Sequence, residues 1–291
     1  MTTEIAQFLA HLEGTEDYTP GTLANYRINM RLFDCWLQER SLTIPQVTHI
    51  DLRQYRDELK AKYRPATINK KLAYASKFFS WCVQSGLISE SPMRKIKWAR
   101  FEQYPRWLTK EQAEQLLQNA QAEIDQAKDR GLDFTFSVCV KVKSIFVLLL
   151  NTGLRVSELC DLKLSDIKNG VIVVKWGKGG KRREVPLNGQ AREAIDCWLG
   201  VRQSDSDYLF TTTEGRMGRK VVHWHIVQLG KSVGIKLTPH MLRHTFGKRL
   251  ADKGIGLDRI AKLMGHSNIN TTAIYTMPSL DDLRGVVGVL D

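Results

Sequence analysis

Apolar residues recur at helical spacing through the first hundred residues. One stripe with intervals of three and four residues consists of Leu23, Tyr26, Met30, Phe33 and Leu37. This period is that of one face of an α-helix. Helices are therefore predicted over residues 2–12, 22–37 and 51–63, the last capped near Asp51, and from Pro65 to just before Gly86.

The remainder of the chain has a mixed pattern. Strand-like runs at Val171–Trp176 and Arg183–Leu187 flank the letters GKGGK and predict a β-hairpin. Helices are predicted over residues 134–151, 155–162, 189–200, 221–234, 239–252, 257–264 and 270–276. The predicted fold class is mainly α with a small antiparallel β-sheet in a second domain, which makes it α+β.

A break in the pattern predicts the domain boundary. Residues 92–107 are basic, contain two prolines and lack a clean period. We assign 1–100 to a helical domain, 101–107 to a linker and 108–291 to the mixed domain. Thr109 and Gln112 match a capping box, which predicts a new helix after the linker.

The charge distribution favours a polyanionic partner. The net charge is +12, with twelve Lys and Arg against four Asp and Glu in residues 51–100, and nine against three in residues 201–250. Two separated basic regions fit a protein that holds a DNA duplex from two sides. On the predicted helix after Pro65, the basic face consists of Lys70, Lys71, Tyr74 and Lys77. A solvated face is the alternative to a phosphate-contacting one.

Other classes find little support. The first 25 residues contain no secretory signal, and the longest apolar stretch, Ser144 to Leu150, is too short for a membrane span. The five cysteines are odd in number and far apart, so neither a disulfide framework nor a zinc ribbon is indicated. We expect most of them to be small core residues in a reducing cytosol.

Candidate catalytic residues stand at helix starts and ends. Thr238 and Pro239 form a helix start, after which His240 and Arg243 share one face. Arg155 begins another predicted helix, with Glu158 one turn later. A glycine resembling a helix C-cap precedes His266, and Tyr275 follows nine residues on. Taken singly, each of these residues is more often structural than catalytic.

Together they resemble the tyrosine recombinase family, also called the lambda-integrase or phage-integrase family. The ordered elements are Thr-Gly-Leu-Arg155, Gly177-Lys178-Gly179, His240-Met-Leu-Arg243-His-Thr-Phe, Leu-Met-Gly-His266 and Tyr275. The resemblance covers the whole second domain, and the first domain resembles the family's core-binding domain less closely. It implies a two-domain DNA clamp that cleaves and rejoins DNA at specific sites through a 3′-phosphotyrosine and a four-way junction, integrating, excising or resolving DNA.

The resemblance also implies roles for single residues. Arg155 and Arg243 would hold the phosphate, and guanidinium forks suit the charge that develops on its oxygens. Tyr275 would be the nucleophile, and His240 would assist it. His266 would hydrogen-bond the phosphate, Lys178 would protonate the leaving 5′ oxygen, and Glu158 would orient its neighbours. Lys175 and Lys181 lie close to Lys178, so the lysine assignment depends on the hairpin register.

The implied setting needs no cofactor. Neither ATP nor a metal is required, and the partners are double-stranded DNA, four copies of the chain on paired sites and accessory DNA-bending proteins. Lys181 and Arg182 are added to the expected DNA contacts. We expect a cytoplasmic, nucleoid-associated protein with no membrane partner.

Three alternatives stay open. His240 and His244, four residues apart, could hold a metal, although no third ligand is evident. A type IB topoisomerase would use the same residues to relax supercoils, and a DNA-binding protein with a decayed site would keep only the binding. The apolar face of residues 280–291 could dock on a neighbouring protomer, which favours recombination, or pack on its own domain.

Overall fold

The chain forms two compact units in a computed structural model, Met1–Gln103 and Tyr104–Asp291. The structure describes residues 1–15, 18–100, 105–175, 182–266 and 268–277. Each unit has its own apolar core. In the described ranges no helix is both long and apolar enough to cross a bilayer.

The first unit is helical. Its α-helices are α1 (Thr3–Gly14), α2 (Pro20–Gln38), α3 (His49–Lys62) and α4 (Pro65–Gln84). Short 3-10 turns cover Ile44–Gln46 and Pro92–Lys95. The cap of α3 is Thr48, three residues before the predicted one, because Asp51 is the acidic partner of Thr48 in a capping box.

Aromatic side chains dominate the core of the first unit. Phe8 and Phe78 meet edge to face with centroids 5.3 Å apart, and Phe33 meets Tyr55 at 5.1 Å. Such pairs contribute roughly 0.5–1.5 kcal/mol beyond the burial of their area. The apolar stripe predicted on α2 supplies Phe33 to this core.

The predicted basic face of α4 is only partly correct. Lys70 and Lys77 are exposed, and Tyr74 packs its ring against Tyr26 at 4.7 Å. Lys71 is only 9% exposed, and its ammonium lies 4.7 Å from the centre of the Tyr63 ring. Burial lowers its pKa. Residue 71 lies one helical step from 70, about 100° around the axis, which turns it towards the interior.

The second unit surrounds a buried helix. Its α-helices are α5 (Lys110–Asp129), α6 (Asp133–Thr152), α7 (Val156–Asp161), α8 (Gly189–Val201), α9 (Arg219–Ser232), α10 (Pro239–Asp252) and α11 (Leu257–Met264). Helix α6 packs against α5, α8 and α10, and its Ser144 hydroxyl donates to the carbonyl of Ala194. The predicted capping box at Thr109 begins α5.

Strands form the expected antiparallel hairpin. A 3-10 turn, Leu164–Asp166, precedes a three-stranded sheet of β1 (Ile167–Lys168), β2 (Val171–Val174) and β3 (Arg183–Pro186) in that order, with Ile172 opposite Val185. The small pair β4 (Thr211–Thr212) and β5 (Gly215–Arg216) is separate. Strands of two residues show no alternation, so β1, β4 and β5 were not predictable. The hairpin tip, 176–181, lies outside the described residues.

The helix predicted over 270–276 is wrong. Two 3-10 turns, Ile269–Thr271 and Ala273–Thr276, cover this segment. Four of its residues, Thr271, Thr272, Ile274 and Thr276, are β-branched and lose side-chain freedom in an α-helix. A segment this short also gains too few hydrogen bonds to offset helix nucleation.

The prediction that most of the cysteines are core residues is only partly correct. Cys82 and Cys160 are buried, Cys139 is half-buried, and Cys35 and Cys197 are exposed. The two exposed thiols lie on amphipathic helices, α2 and α8, away from the face that packs into the core.

Candidate active site

Helix α10 presents the site. Its start is as predicted: the Thr238 hydroxyl accepts from the backbone N–H of Met241, and Pro239 occupies the first turn. Three- and four-residue steps then place His240, His244 and Gly247 along one face. The sequence predicted the helix and His240 but did not favour His244.

Arg243 is the buried cation of the site. It is 4% exposed, and its guanidinium donates to the carbonyls of Gly153 and Met264, the latter at 2.6 Å. These carbonyls end α6 and α11, where unpaired C=O groups carry partial negative charge. Burial, and then the charge of Arg155, lowers the pKa of Arg243 to about 10, so it stays charged at neutral pH.

Arg155 reaches the same corner of the chain from another helix. It is the N-cap residue of α7, and its guanidinium donates to Glu158 and to the carbonyl of Gly265, each at 2.8 Å. Arg243 binds the adjacent carbonyl of Met264. Gly265 ends α11 in the left-handed region, with a φ of 66°, as the predicted C-cap. The two arginines therefore meet at one turn.

Glu158 is held by two arginines. Arg183 binds it through a fork, with Nη1–Oε1 and Nη2–Oε2 distances of 2.8 and 2.7 Å, and donates from Nε to the carbonyl of Leu263 at 2.9 Å. Burial alone would raise the pKa of Glu158, but hydrogen bonds and charge from Arg183 and Arg155 hold it at about 2. Glu158 thus orients both arginines.

Arg183 was not among the predicted site residues, although the sequence contains a signal for it. Arg183 and Val185 are two positions apart on β3, so their side chains point to the same side of the sheet. Val185 is a core residue, and the Arg183 side chain is 8% exposed. An arginine in register with a core valine requires a buried partner, which Glu158 provides.

His266 follows the α11 C-cap directly. Its Nδ1 lies 2.8 Å from the Thr272 hydroxyl, and its ring is nearly parallel to that of Tyr275 with centroids 6.4 Å apart. Burial, followed by the charges of Arg243 and Arg155, lowers the pKa of His266 to about 4. The imidazole is therefore neutral at pH 7.

Tyr275 packs against His266 and His244. It is 1% exposed, and its hydroxyl lies 3.0 Å from Nδ1 of His244. A Cβ added at Gly247 would come within 2.6 Å of the Tyr275 ring, so glycine is required for this close approach. Burial raises the pKa of Tyr275 to about 12, although Arg243 acts to lower it.

His240 lies beside the site but makes a different contact. Its ring centroid is 4.2 Å from that of His244, and in the described part of the chain no side-chain hydrogen bond joins it to Tyr275. Although His240 is exposed, desolvation by the surrounding protein and then the charge of Arg243 lower its pKa. The described residues contain no group of three side chains suited to a metal ion, which leaves the metal alternative for His240 and His244 without a third ligand.

The remaining candidates lie elsewhere. Lys178 and Lys181 fall outside the described residues. Arg182 is exposed and paired with Glu184 at 3.1 Å, and Lys175 forms an ion pair with Asp166. The structure thus brings together Arg155, Glu158, Arg243, His266 and Tyr275, with His240 at the edge.

Two cations, neutral imidazoles and a tyrosine on one corner of a mixed α+β unit define a site suited to phosphoryl transfer. Residues 106–280 match the phage integrase family, and residues 5–86 match its N-terminal SAM-like domain. The chain belongs to this family of tyrosine recombinases.

Relatives extend over both units. Tyrosine recombinase XerC of Pelobacter propionicus is 33% identical over 297 residues, which cover 97% of this chain and 93% of the relative. Tyrosine recombinase XerA of Thermococcus onnurineus is 41% identical over 146 residues, about half of either protein, at 48% and 52%. The Tn1549 transposon integrase, solved with a circular intermediate DNA, shares the fold with a TM-score of 0.78 and 23% identity over 100% of both chains.

Replacement of Arg183 should weaken the folded state. Arg183→Met removes the guanidinium fork from buried Glu158, and we expect the free energy of unfolding in urea to fall by about 3 kcal/mol at pH 7. The neighbouring, exposed Arg182→Met should change it by less than about 0.5 kcal/mol. The loss should shrink as the pH falls from 4.5 towards 2, because the ion pair disappears when Glu158 is protonated. Equal unfolding curves for both variants would contradict the role of Arg183.

Gly247→Ala should displace Tyr275. The helix itself would favour alanine, but the added methyl overlaps the tyrosine ring. We expect strand cleavage of a nicked DNA substrate to fall about 100-fold, the order of loss that follows from a displacement near 1 Å. Gly200→Ala in α8 is the matched control and should cleave normally, because a Cβ added at Gly200 would meet no neighbouring side chain or segment within 4 Å. Normal cleavage by both variants would refute the packing argument.

Proposed function

We propose that this protein is a site-specific DNA recombinase that cuts one strand through Tyr275 and joins it to a partner strand. The observation that carries the proposal is the Tyr275 hydroxyl at hydrogen-bond distance from an imidazole on the helix that bears Arg243. Arg155 lies at the same turn, so a nucleophile and two phosphate-binding cations stand together.

The arginines bind the scissile phosphate. An arginine has five N–H groups, and in the described residues hydrogen bonds engage two guanidinium nitrogens each in Arg155 and Arg243. Those bonds fix the plane of each fork before DNA arrives. Preorganised donors stabilise the charge that grows on the non-bridging oxygens at little cost in reorganisation.

The histidines and a lysine complete the reaction. The Thr272 hydroxyl lies 2.8 Å from Nδ1 of His266. In the tautomer in which this hydroxyl donates to Nδ1, the proton of the neutral imidazole is on Nε2 and can be donated to the phosphate. Lys178 protonates the departing 5′ oxygen, and His240 assists at the edge of the site. These roles follow the family pattern at matching positions.

Bond energy is conserved through the reaction. A bond forms between phosphorus and the Tyr275 oxygen while the bond from phosphorus to the 5′ oxygen breaks. The products are a 3′-phosphotyrosine and a 5′ hydroxyl. A 5′ hydroxyl from the partner strand then reverses the step, so neither ATP nor a metal is consumed.

Both units bind DNA in this proposal. Residues 1–100 form the core-binding domain and residues 108–291 the catalytic domain of a clamp, with 101–107 as the linker. Exposed Lys70, Lys77 and Arg182, together with Lys181, contact phosphates. Four copies assemble on two paired sites, accessory proteins bend the DNA, and the complex works at the nucleoid in the cytoplasm.

Covalent capture tests the proposal. Wild type and Tyr275→Phe are incubated without added metal with duplexes that carry the cognate site, selected from random or flanking DNA, and a nick near the cleavage point. Wild type should form a denaturation-resistant protein–DNA band with a 3′ linkage, and Tyr275→Phe should form none. Tyr208→Phe, which removes a hydroxyl elsewhere in the same unit, is the control and should cleave normally.

The outcomes separate the alternatives. Transfer of the cleaved strand to a second duplex supports recombination, whereas relaxation of supercoils without such transfer indicates a topoisomerase. If wild type binds the site and never becomes attached, even with metal added, the catalytic proposal fails and a DNA-binding role replaces it.

Phosphate contacts in the first unit predict a distinct salt dependence. Lys70→Met and Lys77→Met should each weaken DNA binding and reduce the slope of log K against log salt by about 1, because one counterion-releasing contact is lost. Lys71→Met is the matched control, because its ammonium is buried against Tyr63. A slope that changes for Lys71→Met and stays constant for the other two would refute the assignment.

A further inference from the structure

We propose that His244 accepts the phenolic proton of Tyr275 during strand cleavage. This inference rests on the proposed function and assigns one step of it. The family pattern at matching positions gives the assisting role to His240, so His244 is a further catalytic residue.

Geometry selects His244. Its Nδ1 lies 3.0 Å from the Tyr275 hydroxyl, within the range of a hydrogen bond. Gly247, one turn further along α10, lets the tyrosine ring approach the helix closely enough for this contact. The buried hydroxyl and the half-buried imidazole therefore form a nucleophile–base pair that is in place before DNA binds.

Electrostatics keep the imidazole neutral. Burial is the main cause that lowers the pKa of His244 to about 4, and the charged or titratable groups facing it add to the effect. These groups are His240 and Arg243 on the same helix and His266 after α11, and Tyr275 faces it from the last 3-10 turn. A neutral imidazole with its proton on Nε2 offers the Nδ1 lone pair to the tyrosine.

A base this weak cannot ionise a free tyrosine, so the transfer must accompany bond formation. The DNA phosphate brings a negative charge to Arg155 and Arg243, and at Arg243 it offsets a cation that lowers the pKa of His244. As the oxygen of Tyr275 bonds to phosphorus, its proton becomes far more acidic. The O–H bond breaks, an N–H bond forms on Nδ1, and phosphorus exchanges its 5′ oxygen for the tyrosine oxygen.

Reversal follows the same path. The 5′ hydroxyl of the partner strand attacks phosphorus and gives its proton to Lys178, the tyrosine oxygen leaves, and His244 returns its proton to that oxygen. One residue is thus base in cleavage and acid in rejoining, as microscopic reversibility requires. The simpler role for His244 would be a hydrogen-bond acceptor that only keeps the buried hydroxyl in position, and a substitution can separate the two roles.

The test is a single-turnover cleavage assay on pre-bound nicked DNA between pH 5 and 9. His244→Gln and His244→Asn are compared with wild type, and exposed His11→Gln in the first unit is the control. Asparagine can accept the tyrosine hydrogen bond but cannot take its proton. We expect unchanged DNA affinity and a cleavage rate about 100-fold lower for both His244 variants. Because the bound phosphate raises the pKa of His244 from its value of about 4, the wild-type rate should rise at the acid end of this range and then reach a plateau, and that titration should be absent from the variants.

Three results would overturn the proposal. A His244→Asn rate within threefold of wild type, with the same pH profile, would reduce His244 to a hydrogen-bond acceptor. Faster cleavage by the variants would show that His244 restrains the tyrosine. If wild type forms no covalent product while it binds DNA, the proposed function itself fails, and the proton transfer fails with it. A normal wild-type reaction beside an active asparagine variant refutes only the proton transfer.

Discussion

Two like charges must lie side by side for this site to exist, one of them buried, and the second unit is arranged around that constraint. Arg155 and Arg243 repel each other, and burial disfavours the charge of Arg243. Glu158 offsets part of this cost, and the carbonyls that end α6 and α11 offset more. Three helix ends and a strand must therefore converge at one corner, which explains why the site lies beside α10 where the ends of α6 and α11, the start of α7 and strand β3 meet.

Local chemistry explains what the sequence could predict. The start of α10 follows from Thr238 and Pro239, which cap and begin a helix in any context, and the end of α11 follows from a glycine with positive φ. The β2–β3 hairpin follows from its alternation. These signals act within a few residues, so they survive without knowledge of the tertiary structure, and they placed Arg155, Arg243 and His266 correctly at their helix ends.

Contacts between distant segments explain what the sequence could not predict. His244 meets Tyr275 across 31 positions, and Arg183 meets Glu158 across 25. No periodic pattern encodes such pairs. The 3-10 turns over 270–276 have the same origin, because the packing of Tyr275 against α10 outweighs the weak helical tendency of its own segment. Lys71 shows a second limit of prediction from sequence. It follows exposed Lys70 directly, but one step around the helix axis is enough to bury it.

At Gly247 the stability of the helix and the position of the nucleophile favour different residues. A glycine inside a helix costs roughly 1 kcal/mol relative to alanine, because the unfolded chain has more freedom to lose. Here that cost falls on the helix that also bears Arg243. The position beneath the tyrosine ring has no room for a methyl group. Alanine would favour the helix but would overlap the buried ring and remove the space that the nucleophile occupies, so stabilised variants of this chain should be sought elsewhere in α10.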